Sequence, residues 1–335
     1  MTGVESDHSK SSPTGICRPG GRPLVSFFVA GRNVQDYVEE AMRSMLAQTV
    51  DDFELLILDD GSTDKTYDVM MSVQDQRIRV LRNEKCMGIA RSLNRLMELC
   101  RGRFWAHMDA DDICAPERLE KQLEIMQADN TIGICGCRFV AFYPSGEAHL
   151  FNTPLESEKI KAKLLFTAPM AHPFVTFAGE LFSRHGITYS EKMVCALDYE
   201  LYIKTFLRHP HIAFANADHV LGFYRRHEGQ ISTARSQEQL HYAFRAQMQI
   251  FQALGISPSN KLIRFHQNLY AGIAPTTADD MAGLVDWAFT LRTANAVKPL
   301  FNASLFNADL FTRLEGIMQC SPSLSERHWW RLKNW

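Results

Sequence analysis

The chain lacks the features that mark membrane proteins, zinc sites and nucleic-acid-binding proteins. No stretch approaches the roughly 20 apolar residues that a membrane-spanning helix needs. The eight cysteines are scattered without paired zinc spacing, and most of them lie in apolar stretches. Charges nearly balance, with 36 Lys and Arg against 38 Asp and Glu, which gives no reason to expect a nucleic-acid partner. We therefore expect a cytoplasmic protein with reduced thiols, either soluble or peripheral to the inner face of the plasma membrane.

Residues 1–22 also have no apolar segment and are rich in Ser, Gly, Pro and Thr. This composition predicts a disordered leader rather than a signal peptide. The whole chain of 335 residues is 46% hydrophobic, which is enough for one large domain and a smaller appendage.

The order of predicted elements indicates an α/β fold. Apolar runs alternate with helical patterns up to residue 234, which predicts a mainly parallel, Rossmann-like sheet flanked by helices. Ser62 or Thr63 is the predicted N-cap of the helix after the second strand. Two late strands are predicted at 211–215 and 220–224, and the pattern then changes to helices at 237–254, 259–272, 277–294 and 307–319. We divide the chain into a leader, 1–22, an α/β domain, 23–234, and a helical C-terminal extension, 235–335.

Two predicted strands end in carboxylates. They are residues 55–64, LLILDDGSTD, and residues 104–112, FWAHMDADD. In an open α/β sheet, ligands bind beyond the carboxyl ends of the strands, so these acids are expected to face a cleft. Asp109 and Asp111 flank one small residue, so both can turn toward one divalent cation and leave positions for phosphate oxygens. The pattern indicates a site for a nucleotide sugar and a metal ion.

The two acidic motifs resemble those of family 2 inverting glycosyltransferases, whose catalytic domain has the GT-A fold. The resemblance runs in the family's order from about residue 23 to residue 233, so it is more specific than an isolated Asp-X-Asp element. Its other parts are residues 88–94, GIARSLN, Pro116 with Arg118, His172 with Pro173, residues 197–202, LDYELY, and residues 224–227, YRRH. The resemblance implies a nucleoside-diphosphate sugar donor, with a UDP-sugar favoured, and Mn²⁺ or Mg²⁺ as cofactor.

The resemblance also implies roles for individual residues. Asp198 matches the catalytic base, although the acid that usually precedes it is Leu197 here. Asp111 and His227 match the positions that hold the cation. Asp60 matches the residue that binds the nucleotide base. The full set of nucleotide- and donor-binding positions is Asn33, Asp59, Asp60, Asp109, Arg91, His172 and Arg226.

The resemblance also bears on the acceptor, and the last residues of the chain bear on a membrane contact. Bacterial relatives of this size build surface polysaccharides or glycolipids, so the resemblance implies a saccharide or lipid-linked acceptor. Residues 327–335, RHWWRLKNW, mix basic and indole side chains. They are interpreted either as an interfacial segment that makes a peripheral membrane contact or as a terminal helix packed on the domain.

Two other classes of function stay open. A nucleotidyltransferase that makes nucleotide sugars needs a Gly-rich phosphate loop after the first strand, where this chain has Ala30-Gly31-Arg32-Asn33. A noncatalytic nucleotide-sugar-binding protein would keep the fold without needing Asp198. Nucleotide release in the presence of an acceptor separates both classes from a glycosyltransferase.

Overall fold

The computed structural model describes residues 21–230 and 235–321. The predicted leader, apart from residues 21 and 22, and the segment 327–335 lie outside the described residues. The predicted boundary at 234 and 235 falls at the gap between the two ranges. Within these ranges the chain forms nine β-strands and eleven α-helices, and none of the helices is long and apolar enough to cross a membrane.

The elements follow one another in a βα order at first and end in a run of helices. The strands are β1 (Val25–Gly31), β2 (Phe53–Asp59), β3 (Ile78–Arg82), β4 (Phe104–His107), β5 (Ile113–Cys114), β6 (Ile132–Phe142), β7 (Ala148–Phe151), β8 (Thr176–Ala178) and β9 (Ala213–Arg225). The helices before the gap are α1 (Val38–Leu46), α2 (Thr66–Ser72), α3 (Ile89–Leu99), α4 (Arg118–Ala128), α5 (Ser157–Lys163), α6 (Gly179–His185) and α7 (Leu197–Arg208). The helices after it are α8 (Ser236–Leu254), α9 (Asn260–Ala271), α10 (Ala278–Val297) and α11 (Ala303–Gln319).

The described strands form one sheet in the order β3-β2-β1-β4-β8-β6-β9-β5, with β7 paired to β6. The strands β3, β2, β1 and β4 are mutually parallel, as are β6 and β9. The short β8 is antiparallel to both of its neighbours. The predicted mainly parallel α/β sheet with a helical C-terminal extension is confirmed. Because parallel strands end at the same edge, the acidic motifs that follow β2 and β4 lie on one side of the sheet.

The central strands are apolar because both faces of the sheet are covered. Every residue of β1 and β2 is buried. Phe28 and Leu56 pack on one face, whereas Phe27 and Leu55 pack on the other. Burial on two sides removes the alternation of polar and apolar residues that a half-exposed strand would show. The sheet is therefore a rigid base for the loops at its carboxyl edge.

The predicted N-cap of the helix after β2 was wrong. The helix begins at Thr66, and the amide of Thr66 donates to Asp64 Oδ1 at 3.0 Å. The Ser62 hydroxyl instead accepts from the backbone amide of Asn33 at 2.9 Å. The Ser62 hydroxyl oxygen, which the prediction assigned to the helix N-terminus, therefore binds the loop after β1.

The prediction of two separate strands at 211–215 and 220–224 was also wrong. They are parts of the single strand β9, which pairs along its length with β6. Residues 218–220 are exposed, and the register against β6 shifts beside them. A bulge of this kind interrupts the alternation without ending the strand, so the pattern looks like two strands.

The C-terminal extension shares a hydrophobic core with the α/β part. Ala246 and Ile250 of α8 belong to the same buried cluster as Leu201 of α7 and Leu56 of β2. The four predicted helices of the extension correspond to α8 through α11. The core is therefore continuous across the predicted boundary, and the extension packs on both α5 and α7.

His266 is expected to make stability depend on pH. The side chain is fully buried in α9, and its Nε2 lies 3.1 Å from the Leu165 carbonyl oxygen. Burial lowers the pKa of His266 to about 3, with the hydrogen bond to Leu165 opposing this and the charge of Arg313 adding to it. An unfolded histidine has a pKa of about 6.5, so the unfolded state binds the proton first as the pH falls. The buried neutral His266 therefore contributes its full stabilisation above about pH 6.5. Below that pH, the free energy of unfolding falls by up to about 1.4 kcal/mol per pH unit.

The variant His266→Gln tests this expectation, because an amide can still donate to the Leu165 carbonyl but does not titrate. We measure the free energy of unfolding by urea titration between pH 8 and pH 5. We expect it to fall less steeply with decreasing pH in the variant than in the wild type, and the difference in slope should correspond to the uptake of about one proton on unfolding. Equal slopes for the two proteins would show that His266 is not the titrating group.

Candidate active site

Three carboxylates converge in the turn between β4 and β5. Asp109, Asp111 and Asp112 each place one oxygen within 4.8 Å of the others. Asp112 is fully buried, and its Oδ1 accepts from the Arg225 amide at 2.8 Å. Its Oδ2 has no hydrogen-bond partner among the residues that the structure describes. Burial, followed by the charges of Asp111 and Asp109, raises the pKa of Asp112 well above its ordinary value.

The last strand brings His227 to this cluster. The pairing of β5 with β9 places Ile113 opposite Phe223, so the residues after β9 lie beside the acidic turn. His227 Nε2 lies 2.9 Å from Asp111 Oδ2, and both side chains are largely buried. The ring of Tyr37 packs on the His227 ring with centroids 4.6 Å apart. The two predicted metal ligands, 116 residues apart in the chain, are therefore brought together.

The residues at this point fit a divalent cation. Carboxylate oxygens with one imidazole suit hard or borderline ions such as Mg²⁺ and Mn²⁺ better than soft ions. The unpartnered Asp112 Oδ2 and the mutual repulsion of three acids are features that a cation would relieve. The donor set leaves room for oxygens from a substrate because it spans only a few side chains.

His107, which the sequence argument did not single out, is buried at the end of β4 beside this cluster. Its Nδ1 lies 3.1 Å from the Phe28 carbonyl oxygen, and its Nε2 lies 3.1 Å from Asp109 Oδ1. Burial lowers the pKa of His107 to about 3, so the ring is neutral near pH 7. We assign the proton to Nδ1 because a carbonyl oxygen can only accept. The only sequence signal was a histidine in the apolar run just before the acidic motif.

The His172 ring packs against the His107 ring at a tilt of 36° and extends the polar cluster. The ring centroids are 4.0 Å apart, and His172 Nε2 lies 2.8 Å from the Tyr189 hydroxyl. Burial lowers the pKa of His172 to about 4, with His107 adding to this and the charges of Asp198 and Asp109 opposing it. The sequence argument missed Tyr189. The Asn94 side-chain amide donates to the Tyr189 carbonyl oxygen and accepts from the Tyr189 backbone amide, both at 2.9 Å. Nothing in the sequence near Tyr189 predicts this position.

Asp198 lies in the first turn of α7, where a carboxylate is favoured by the positive end of the helix. It is half-buried, and no described side chain or amide donates a hydrogen bond to its carboxylate. Its charge adds to the effect of burial in raising the pKa of Tyr189. Leu197, which replaces the usual acid, is buried among the apolar residues under the helix. A carboxylate that accepts no hydrogen bond from the described residues is suited to an incoming ligand.

Asp60 and Asp59 hold the loop that follows β3. Asp60 Oδ1 accepts from Asn83 and from the Met87 amide at 2.7 and 2.8 Å, and Asp60 Oδ2 accepts from the Gly88 amide at 2.9 Å. Burial by itself would raise the pKa of Asp60, but these hydrogen bonds outweigh it and lower the pKa. Asp59 Oδ2 lies 3.0 Å from Arg82 Nε. A nucleotide base that contacts Asp60 would have to share oxygens with this loop.

The loops after β1 and β2 are joined through Asn33. Its backbone is left-handed, with φ of 55°, and its Oδ1 accepts from the Thr63 amide at 2.9 Å. Gly61 also has a positive φ, of 65°, and a Cβ there would lie 2.5 Å from the Lys85 backbone carbonyl carbon. The residue after the two aspartates must therefore be glycine, because the next loop passes directly over it.

Comparisons with known proteins identify the family of this domain. The glycosyl transferase family 2 domain matches residues 26–187. The chain therefore carries a family 2 glycosyltransferase domain. It is 25% identical over 243 residues to the Escherichia coli protein WfaP, named a UDP-Glc:alpha-D-GlcNAc-diphosphoundecaprenol beta-1,3-glucosyltransferase. The match covers 72% of this chain and 90% of WfaP.

Solved structures place the transferase in the GT-A fold. The S. aureus TarS fragment 1–349 in complex with UDP-GlcNAc superposes with a TM-score of 0.57 at 16% identity, over 88% of this chain and 92% of that one. The mannosyltransferase PcManGT from Pyrobaculum calidifontis, in complex with GDP-Man and Mn²⁺, gives a TM-score of 0.54 at 18% identity, over 93% and 92%. At these identities the superpositions show the fold alone. Their coverage extends over most of the helical extension as well.

The two predicted donor-binding arginines of the transferase lie outside the acidic cluster. Arg91 is exposed on α3 and forms an ion pair with Glu191 at 2.7 Å. Arg226 stacks its guanidinium on the Tyr224 ring, 4.9 Å from the centroid, and lies one residue before His227. Donor binding by these two arginines stays a prediction.

Arg118 supports the site from beneath, a role that the motif around Pro116 did not reveal. Its guanidinium is fully buried and donates to the carbonyl oxygens of His107 at 2.6 Å and of Pro173 at 3.2 Å. These two carbonyls belong to the end of β4 and to the turn that carries His172. The buried Arg118 guanidinium thus connects the end of β4, which leads into the acidic turn, with the turn that carries His172.

Proposed function

We propose that this transferase inverts the anomeric configuration while moving a sugar from a nucleoside-diphosphate sugar to a hydroxyl of a saccharide or lipid-linked acceptor. The observation that carries the proposal is the contact of His227 with Asp111 inside a cluster of three carboxylates at the carboxyl edge of the sheet. This is where an open α/β sheet binds its ligand, and the donor set suits the charge of a diphosphate with its cation.

Asp198 is the general base. It takes the proton from the acceptor hydroxyl while that oxygen forms a bond to the anomeric carbon. The bond from the anomeric carbon to the diphosphate oxygen breaks on the opposite face, so the configuration inverts. The absence of described hydrogen-bond donors to Asp198 and its place in the first turn of α7 support this role.

Asp111 and His227 would hold the divalent cation, Mn²⁺ or Mg²⁺, and Asp109 would contact the ribose side of the donor. The bound ion supplies neutralisation of the charge that develops on the leaving diphosphate. The backbone of this segment is kept in place by Arg225, which donates to the Asp111 carbonyl at 2.9 Å and pairs with Glu40. Asn33, Asp59 and Asp60 bind the nucleoside from the neighbouring strand end.

A UDP-sugar is the favoured donor. Support comes from WfaP, whose name specifies UDP-Glc, and from the TarS complex with UDP-GlcNAc, while PcManGT was solved with GDP-Man. The diphosphoundecaprenol in the name of WfaP supports a lipid-linked acceptor. Family membership favours a glycosyltransferase over the nucleotidyltransferase and the noncatalytic binding protein that the sequence left open.

The proposal is tested by the thermal stabilisation of the protein with UDP, GDP, dTDP, CDP and ADP, each with and without Mn²⁺ or Mg²⁺. A ligand at about 100 times its Kd stabilises by about 2.7 kcal/mol, which raises the Tm of a 335-residue chain by about 4 °C. We expect a cation-dependent shift with UDP that exceeds the shifts with the other nucleotides. No shift with any nucleotide would contradict the donor site, and a transfer product that retains the anomeric configuration would contradict the inverting mechanism.

A further inference from the structure

We propose that Gln247 of the C-terminal extension is a positioning residue for the active site, one that holds both the Asp198 helix and the turn leading to His172. The inference rests on the proposed function, because it assigns Asp198 and His172 to the reaction. It gives the extension a role in activity in addition to stability.

The argument starts at the end of α5, where backbone carbonyls have no partner within the helix. Leu164, Leu165 and Phe166 follow α5 directly and are fully buried. Buried carbonyls at a helix end need donors from elsewhere in the protein. Since water cannot reach them, side chains of other elements must provide these donors.

Three different helices each provide one donor to three consecutive carbonyls. The Tyr199 hydroxyl of α7 donates to the Leu164 oxygen at 2.6 Å. His266 Nε2 of α9 contacts the Leu165 oxygen at 3.1 Å, and Gln247 Nε2 of α8 donates to the Phe166 oxygen at 3.3 Å. Two of the three donors therefore belong to the extension.

Gln247 differs from His266 because it also contacts α7, the helix that carries Asp198. Its amide nitrogen lies 3.1 Å from the Tyr199 hydroxyl, so one side chain is bonded both to the turn and to the residue next to Asp198. Gln247 and Tyr199 are both almost completely buried, at 5% and 3% exposure. A buried amide with two partners of this kind has little freedom to move, and neither has the hydroxyl that it orients.

Both ends of this connection lead to the active site. Tyr199 follows Asp198 in the first turn of α7. The turn at 164–166 continues into the segment that ends in His172, whose ring packs on His107. Loss of the Gln247 amide should let the Asp198 carboxylate and the His172 ring shift relative to each other, and a misplacement of about 1 Å can cost up to about 100-fold in rate.

The test compares Gln247→Leu with Asn295→Leu. Asn295 is a matched control because it is a buried amide in the same extension, bonded to the backbone of Leu300 and Phe301. Phe301 stacks on Phe206, near the other end of α7. Both variants are expected to lower the Tm. Only Gln247→Leu is expected to lower kcat, by about 10-fold, with the KM for the donor changed less than about 2-fold.

A double-mutant cycle with Tyr199→Phe identifies the route. If Gln247 acts through the Tyr199 hydroxyl, the double variant loses no more kcat than the worse of the two single variants. Fully additive losses would overturn this route.

Hydrogen exchange provides a readout that does not depend on turnover. We expect faster amide exchange in peptides that cover residues 164–175 and 197–203 in Gln247→Leu but not in Asn295→Leu. Unchanged exchange in these peptides, or unchanged kcat in an active enzyme, overturns the positioning role. A wild type that transfers no sugar would instead contradict the proposed function, and the exchange data would still decide whether Gln247 holds the two segments.

Discussion

Asp198→Asn is expected to reduce kcat for sugar transfer by about 10³-fold, within the range of about 10²–10⁴ that a positioned general base contributes. Asparagine keeps the size and shape of the side chain but cannot take the proton of the acceptor hydroxyl. Donor binding should be retained, because the predicted donor contacts lie outside α7, most of them at the ends of β1, β2 and β4. The measurement is steady-state release of nucleoside diphosphate in the presence of acceptor, together with thermal stabilisation by UDP and Mn²⁺.

Glu200→Gln is the matched control for this prediction. Glu200 lies in the same turn of α7, but its carboxylate pairs with Lys204 at 3.3 Å. Because this pair is largely buried, the same change from acid to amide is expected to lower the Tm. It should leave kcat within about 3-fold, because the Glu200 carboxylate is already paired with Lys204. Undiminished turnover in Asp198→Asn, or an equal loss in Glu200→Gln, would remove Asp198 as the base.

Asp111→Asn is expected to weaken Mn²⁺ binding by at least about 100-fold, because even the loss of an outer-shell partner costs about 10–100-fold. The cation-dependent part of the stabilisation by UDP should disappear, and kcat/KM should fall accordingly. His227 would also lose its carboxylate partner at 2.9 Å. The experiment is a Mn²⁺ titration at fixed UDP, followed by the Tm and by initial rates.

Asp218→Asn is the matched control for the cation experiment. Asp218 is an exposed acid that pairs with Arg138 at 2.6 Å, outside the acidic cluster. Its replacement should leave the Mn²⁺ titration unchanged. If Asp111→Asn bound Mn²⁺ as tightly as the wild type, the cation would have to be held elsewhere. The group formed by His107, Asp109 and His172, whose ligand atoms also lie within 4.8 Å of one another, would be the next candidate.

Sequence reasoning worked best where the chemistry is local to a strand end. The acidic runs after β2 and β4 were recognisable because an apolar strand followed by carboxylates has few other interpretations in an α/β chain. Asp111 and His227 were paired by family resemblance, and the structure places them in contact because β9 pairs with β5. The fold class followed from the same alternation of strands and helices.

Sequence reasoning failed where a residue acts through a distant partner. Ser62 looked like a helix cap but bonds Asn33, and Arg118 looked like part of a motif but joins two turns of the site. Tyr189 and Gln247 gave no usable signal, because each depends on partners far away in the chain. Patterns of hydrophobicity describe neighbours along one element, and they carry no information about which side chains meet across elements.

By itself, the sequence determined the α/β class, the helical extension and the positions of the acidic residues, because these depend on periodicity and on short motifs within single elements. Only the tertiary structure decided that two neutral histidines pack against each other beside Asp109 and that the extension contacts the Asp198 helix through Gln247. The physical reason is that buried polar groups need partners, and those partners are chosen by packing between elements that lie far apart in the chain.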